Sequence, residues 1–347
     1  MRIYTLLRPV VVALAFLATF TCHAIKLTVG DSLYSPDITG TVRPKYELRT
    51  SDGAGRFVLK NAIFGIEGKI HPTLTYRLEV DLHNDGNVKM RNAYGRFSPR
   101  NGMGSLTFGL MRVPFGYDVI RSPHQQFFAN RSYVAKYGAN VRETGLNVIY
   151  HIPAGFPLTV QGGVFSGAST RDDDDSWSTS YVFAGRINTL LARHFGFAAS
   201  VMRTRPDLAT TMHYGIAAAY TDRLWHIEGE YVYKTYSHDV GTRDDELRDT
   251  HIADTFVRRL FPIDGSDLLS GISAAGRYDY ISRFSMAKTS SEPEAARHRM
   301  TVGGTLHFGF GPVRAETRIN YEKCFYPSSS HPAPDDDRII IELMCRF

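Results

Sequence analysis

The sequence predicts an all-β chain, a sixteen-stranded antiparallel transmembrane β-barrel that follows a cleaved export segment. Three observations predict it. Apolar residues recur with period two over long stretches, where helical spacing fits poorly. The connections between those stretches alternate short and long. The chain stops on an alternating strand closed by Phe347.

The N-terminus comes first. Arg2 and Arg8 precede an apolar run, Val10 to Phe20, broken only by Thr19. The run ends at Cys22-His23-Ala24, a small-x-small pattern that suits signal peptidase. It is shorter than the roughly 20 apolar residues that a spanning helix needs. Residues 1–24 therefore read as a signal peptide cut after Ala24, and residues 25–347 as the barrel domain. Phe20 and Thr21 disfavour a lipoprotein signal at Cys22. The mature chain has 323 residues (347 minus 24), with 38 basic and 35 acidic side chains once Arg2 and Arg8 are removed. That balance and the export signal argue against a nucleic-acid partner. Cys324 and Cys345 alone make no disulfide framework. They fall out of register on neighbouring strands and on opposite faces, so no bridge is expected. The chain carries 19 Tyr, 21 Phe and 30 Gly, with no long apolar run after the signal. Apolar residues spread singly along strands are what a membrane barrel requires.

The strands follow in order. Leu74, Tyr76, Leu78, Val80 and Leu82 alternate with Thr75, Arg77, Glu79 and Asp81. Val313, Ala315, Ile319 and Tyr321 alternate with Arg314, Glu316, Arg318, Asn320 and Glu322. The same pattern predicts strands near 41–50, 57–68, 72–82, 88–98, 104–114, 143–152, 157–166 and 179–189. It continues near 194–204, 211–221, 223–237, 250–261, 268–281, 297–308, 312–324 and 337–347. Segments 115–142, 167–178, 238–249, 282–296 and 325–336 are the long loops. In the last strand, Arg338, Ile340, Glu342, Met344 and Arg346 share one face, and Ile339, Ile341, Leu343, Cys345 and Phe347 the other. Tyr231, Tyr233, Tyr278, Tyr280, Phe308 and Phe347 are expected in lipid-facing aromatic girdles.

Residues 57 to 145 resemble the phosphate-selective porin O/P family. The matching stretches are Phe57-Val-Leu-Lys-Asn-Ala-Ile-Phe-Gly-Ile-Glu-Gly68, Tyr76-Arg-Leu-Glu-Val-Asp81 and Val88-Lys-Met-Arg-Asn-Ala-Tyr94. Gly109-Leu-Met-Arg-Val-Pro-Phe-Gly116 and Arg142-Glu-Thr-Gly145 complete the set. The resemblance implies a sixteen-stranded outer-membrane channel, usually a homotrimer; separately, the residues themselves suggest no enzyme, catalytic residue or cofactor. It implies that the loop after the fifth strand folds inward and narrows the pore. The terminal Phe347 resembles the signal read by the barrel-assembly machinery.

Loop 115–142 is thus the expected constriction. Its cationic candidates are Arg121, His124, Arg131, Lys136 and Arg142, with Asp118 and Glu143 as carboxylates. Phe127, Phe128, Tyr133 and Tyr137 are available to pin it to the wall. A ring of cations in a constriction favours anions, and the planar guanidinium fork suits phosphate. Alternation places Arg43, Lys45, Arg77, Lys89, Arg91, Arg299, Arg314 and Arg318 on the pore wall. Glu47, Glu79, Asp81, Glu228, Glu230, Asp279, Glu316 and Glu342 share those faces. Such mixture favours cross-strand pairing, so the wall predicts a weak anion preference at most. The expected solutes are inorganic anions or other small hydrophilic molecules, in contact with outer-membrane lipid outside.

Other motifs are weaker. Asp172–Asp175 reads as a solvated run. His226-Ile-Glu228 lacks further metal ligands. Ser285-Met-Ala-Lys288 falls in a loop, away from the helical turn that a Ser/Lys nucleophile needs. Three alternatives stay open. A non-selective or saccharide-type porin would ignore charge, an outer-membrane barrel enzyme would need a Ser/His/acid cluster at the rim, and an adhesive or structural barrel would not conduct.

Overall fold

The computed structural model describes residues 35–347 except 85–86, 140–141, 168–180, 205–209, 238–248, 267, 285–293, 312 and 328–334. The signal segment, the Asp172–Asp175 run and Ser285–Lys288 lie outside the described residues. The strands are β1 (Asp37–Arg49), β2 (Gly55–His71), β3 (Leu74–Asn84), β4 (Asn87–Phe97), β5 (Gly104–Arg112), β6 (Arg142–Pro153), β7 (Pro157–Phe165) and β8 (Val182–Leu191). They continue as β9 (Phe195–Thr204), β10 (Thr211–Thr221), β11 (Trp225–Tyr236), β12 (Thr250–Pro262), β13 (Leu269–Ile281), β14 (Arg297–Phe310), β15 (Val313–Phe325) and β16 (Arg338–Arg346). Each pairs antiparallel with its sequence neighbours, and β1 pairs with β16 to close the barrel. All sixteen expected strands are present. A closed barrel satisfies every backbone group without an open edge, as a strand structure in lipid must.

Alternation sorts the side chains. Phe64, Leu78, Phe108, Ile216, Val302 and Ile319 are exposed on the outside. Glu79, Asp81, Glu228, Asp279, Arg318 and Glu342 are buried inside. Tyr231 and Tyr278 are exposed as a girdle requires, whereas Phe308 is only 7% exposed. Cys345 sits opposite Ala315 and Cys324 opposite Arg299, so the two are far out of register. Four ladders slip by one residue or more, among them β1–β2 between Arg43 and Pro44 and β3–β4 between Glu79 and Val80.

The barrel closes beside the last residue. Phe347 N–H donates to the Gly40 carbonyl at 3.1 Å, and Gly40 N–H donates back to Phe347 at 3.0 Å. The Phe347 ring lies directly over Gly40, where an added Cβ would stand 2.1 Å from Cζ. A larger residue at this position must displace the ring. We predict that Gly40→Val costs about 1–3 kcal/mol, the usual range for overpacking. Gly95→Ala, with nothing within 4 Å of the new Cβ, is the neutral comparison. Urea unfolding in detergent, followed by tryptophan fluorescence, separates the two.

Candidate functional site

After β5 the chain turns into the barrel. The turn depends on Gly116, at φ 57°, where a Cβ would collide with the Glu230 carboxylate. Its N–H donates to Ser200 Oγ at 3.0 Å. Val113, Phe115, Val119, Tyr133 and Val134 are then fully buried. They pack against Phe165, Val182, Met202, Val232, Ile252 and Ile281, contributed by six different strands. Each such side chain contributes about 1.5–3 kcal/mol on burial, which offsets the cost of ordering a long loop.

Polar contacts fix the loop's position. Glu230 accepts the N–H groups of Tyr117 and Asp118, both at 3.0 Å. Asp279 accepts Tyr133 N–H at 3.0 Å. Ala129 N–H donates to Asn320 at 2.8 Å, and Asn130 Nδ2 to Glu322 at 3.0 Å. Arg277 donates to the Asn130 carbonyl at 3.0 Å and Arg299 to the Arg131 carbonyl at 2.7 Å. His213 meets the Gly138 carbonyl at 2.7 Å. The loop is thereby fastened across β9–β11 and β13–β16 and to β1. Phe127 stacks on His226 at 4.6 Å, and Phe128 meets Phe256 edge-on at 5.7 Å.

The loop cations differ sharply in what they touch. Arg121 bridges Asp118 at 2.8 Å and Glu228 at 2.6 Å. Burial lowers its pKa, but Glu228 and Asp118 outweigh that and hold it above the ordinary guanidinium value. Arg131 donates only to carbonyls, of Val119 at 3.5 Å and Arg121 at 3.1 Å. Burial pulls its pKa down, with Asp118 opposing and Arg91 and Arg43 reinforcing. His124 Nδ1 lies 3.0 Å from Arg346 Nη1, which donates to it. Burial, Arg346 and Arg314 push its pKa down to about 3, so it is neutral at physiological pH. Lys136 is exposed, with its ammonium over the Tyr137 ring. Arg142 stands opposite Arg112 in the β5–β6 ladder. Its Nε and Nη2 are buried without a hydrogen-bond partner.

Most of the expected wall cations are compensated. Arg43 and Arg318 share Glu342, at 2.6 and 2.8 Å. Lys45 pairs with Glu47. Arg77 and Arg91 share Glu79, and Arg91 also meets Asp81 at 3.1 Å. Arg299 pairs with Asp279 at 3.0 Å and Arg314 with Glu316 at 2.7 Å. Lys89 is exposed opposite Asp81. His226 pairs with Glu228 at 3.1 Å, and no metal-binding group exists among the described residues.

Three features were missed from the sequence. Arg112 donates to the Ile120 carbonyl and lies with Arg131, Arg91, Glu79 and Arg77. Lys60 is exposed toward Lys45, Arg43, Glu47 and Arg131. The apolar receptacle for the loop was also unforeseen. Its signal is present, because Val232, Ile252 and Ile281 interrupt the polar phase of their strands.

Two predictions follow from this geometry. Removing one partner of a buried ion pair costs about 3–5 kcal/mol, so Arg43→Met should destabilise the barrel by that amount in urea, and Arg43→Met with Glu342→Leu by clearly less. His124 docks neutral, whereas a free imidazole titrates near 6.5. Its depressed pKa adds stability that is complete above about pH 6.5 and is lost as pH falls toward 3. Hydrogen exchange of the amides around His124 should therefore accelerate in acid, and His124→Gln should flatten that response.

The model of the phosphate-selective porin O and P family matches residues 44–221, about half of the chain. No curated protein matches it in sequence. Among solved structures, OprB of Pseudomonas putida is 9% identical with a TM-score of 0.63, over 90% of this chain and 93% of that one. An anion-selective porin from Comamonas acidovorans is 12% identical with a TM-score of 0.59, over 90% and 98%. OmpT of Vibrio cholerae, in a trimer form, is 11% identical with a TM-score of 0.55, over 90% and 98%. At these identities the likeness speaks for the fold alone. The family match over half the chain and the closed sixteen-stranded barrel agree: the chain belongs to the phosphate-selective porin O and P family of bacterial outer-membrane channels.

Proposed function

We propose that this porin is a passive channel that prefers anions, with the preference set where its inward loop meets the wall. One observation carries the reading. Arg112 stands opposite Arg142 where the loop leaves and rejoins the wall, Arg131 lies beside them, and none forms an ion pair among the described residues. Most other inward arginines face a carboxylate. Uncompensated guanidinium groups replace part of an anion's hydration and repel cations. Transport needs no energy input, because the groups only lower the barrier to entry.

Phosphate is the most specific anion that these groups suit, since two parallel donors match two phosphate oxygens. Export through cleavage after Ala24, assembly guided by Phe347 and a homotrimeric state complete the proposal. The first rests on the N-terminal pattern and the second on the alternating last strand. The third rests on the family, and one structural neighbour is described as a trimer.

Reversal potentials across planar bilayers in a KCl gradient test the reading. Wild-type channels should favour chloride, and millimolar phosphate should reduce the chloride current. Replacing Arg112, Arg131 and Arg142 together by Gln should lower the anion preference about tenfold or more, since each charge within a few ångströms of an ion is worth about 1 kcal/mol even in bulk water. Wild-type channels that favour potassium, or ignore charge, would contradict it and bring the general-porin alternative forward.

A further inference from the structure

The loop covers only part of the inner wall. Among the described residues, its hydrogen bonds reach β1, β5, β9–β11 and β13–β16, and Tyr117 lies under Arg186 of β8. Among the described residues none of these hydrogen bonds reaches β2, β3, β4 or β7. The passage inferred from this coverage runs along β2–β4, with Arg131 on its loop side, because the loop's apolar cluster already occupies β7 at Phe165.

Among the inserted residues on that wall, two are cations. Arg43 pairs with Asn61 and Pro44 with Leu59, so Lys60 has no counterpart on β1. Glu79 pairs with Asn92 and Val80 with Met90, so Arg91 has none on β3. A bulge of this kind re-aims a side chain, and bulges concentrate near functional sites. Here each turns two consecutive side chains toward the lumen. The two inserted cations then differ. Arg91 is matched by Glu79 and Asp81. Lys60 forms no ion pair among the described residues, is exposed, and has Arg131, Arg43 and Lys45 as its cationic neighbours. Arg43 and Lys45 are themselves matched by Glu342 and Glu47.

We propose that Lys60 is the specificity-determining cation of the open passage, forming with Arg131 a subsite for a small hydrated inorganic anion. The inference rests on the anion-channel reading and names the residue that meets the ion in water. A lysine ammonium is a compact, strongly hydrated charge on a flexible stem. It attracts an anion without the rigid fork that would hold it, so the ion also leaves readily, as conduction requires. The bulge supplies this charge without displacing Asn61, which donates to Asp81 at 2.7 Å and keeps the wall intact.

The test compares wild type with Lys60→Arg, Lys60→Gln and Lys60→Glu in the same bilayer measurement. Lys60 is exposed and unpaired, so all three should fold, which heat-modifiable migration on detergent gels checks. Lys60→Arg should keep the chloride-over-potassium permeability ratio. Lys60→Gln should lower it about fivefold, the worth of one unit charge a few ångströms from the ion in bulk water, and Lys60→Glu should lower it further. An anion-selective wild type with an unchanged ratio in Lys60→Gln would overturn this assignment and leave the anion channel standing. A wild type without anion preference would overturn both.

Discussion

Arg43 joins the two features on which this molecule depends. Its side chain is 1% exposed and uses all three of its nitrogens. Nε and Nη2 donate to Glu342 at 3.0 and 2.6 Å, across the seam where β1 meets β16. Nη1 donates to Gln126 at 2.6 Å and Nη2 to the Ala129 carbonyl at 2.9 Å, both on the inward loop. The other oxygen of Glu342 takes Arg318 Nη1 at 2.8 Å, and Arg318 continues to Glu316 at 2.6 Å. A chain of buried charges thus crosses the closing seam and holds the loop at the same point. In a low-dielectric interior such a chain persists only while each charge keeps its partner.

On the proposed reading, charge compensation decides which cations a solute meets. Counting basic residues gives a poor guide to selectivity here, because Glu79, Asp81, Asp279, Glu316 and Glu342 have already claimed most of the wall arginines. Arg121, in the middle of the loop, is fixed by two carboxylates and serves the loop's own attachment. Among the described residues, Arg112, Arg131 and Arg142 are left without an ion pair at the junction of β5, β6 and the loop, and Lys60 is left so on β2. Opposing like charges, such as Arg112 and Arg142, destabilise a ladder. Their persistence beside the inward loop is the kind of local conflict that the proposed anion preference would account for.

Much of this was legible in the sequence, for a physical reason. Side chains alternate with period two, so Leu74–Leu82 and Arg338–Phe347 declare both faces of their strands. Two further signals were legible and carry more information than the regular stretches. The outward phase passes from Phe57 and Leu59 to Ala62 and Phe64, and from Val88 and Met90 to Ala93 and Phe97. Those slips mark the bulges at Lys60 and Arg91. Apolar residues in the polar phase, such as Val232 between Glu230 and Lys234, mark where the loop lands. The partners themselves were not legible. Arg43 and Glu342 lie 299 positions apart, and only the closed register brings them together. Arg112 falls in the phase of the outward Leu106 and Phe108, so alternation alone gave no reason to place it beside the loop.

The central claim is that compensated cations hold the loop and uncompensated ones meet the permeating ion. Anomalous diffraction from crystals soaked in bromide tests it most directly, because the ion reports its own position. The account predicts bromide peaks in the passage beside Lys60, Arg131, Arg112 and Arg142, with the loop inside the barrel. Peaks along Arg43, Arg299 and Arg318, or a loop lying outside the lumen, would contradict it.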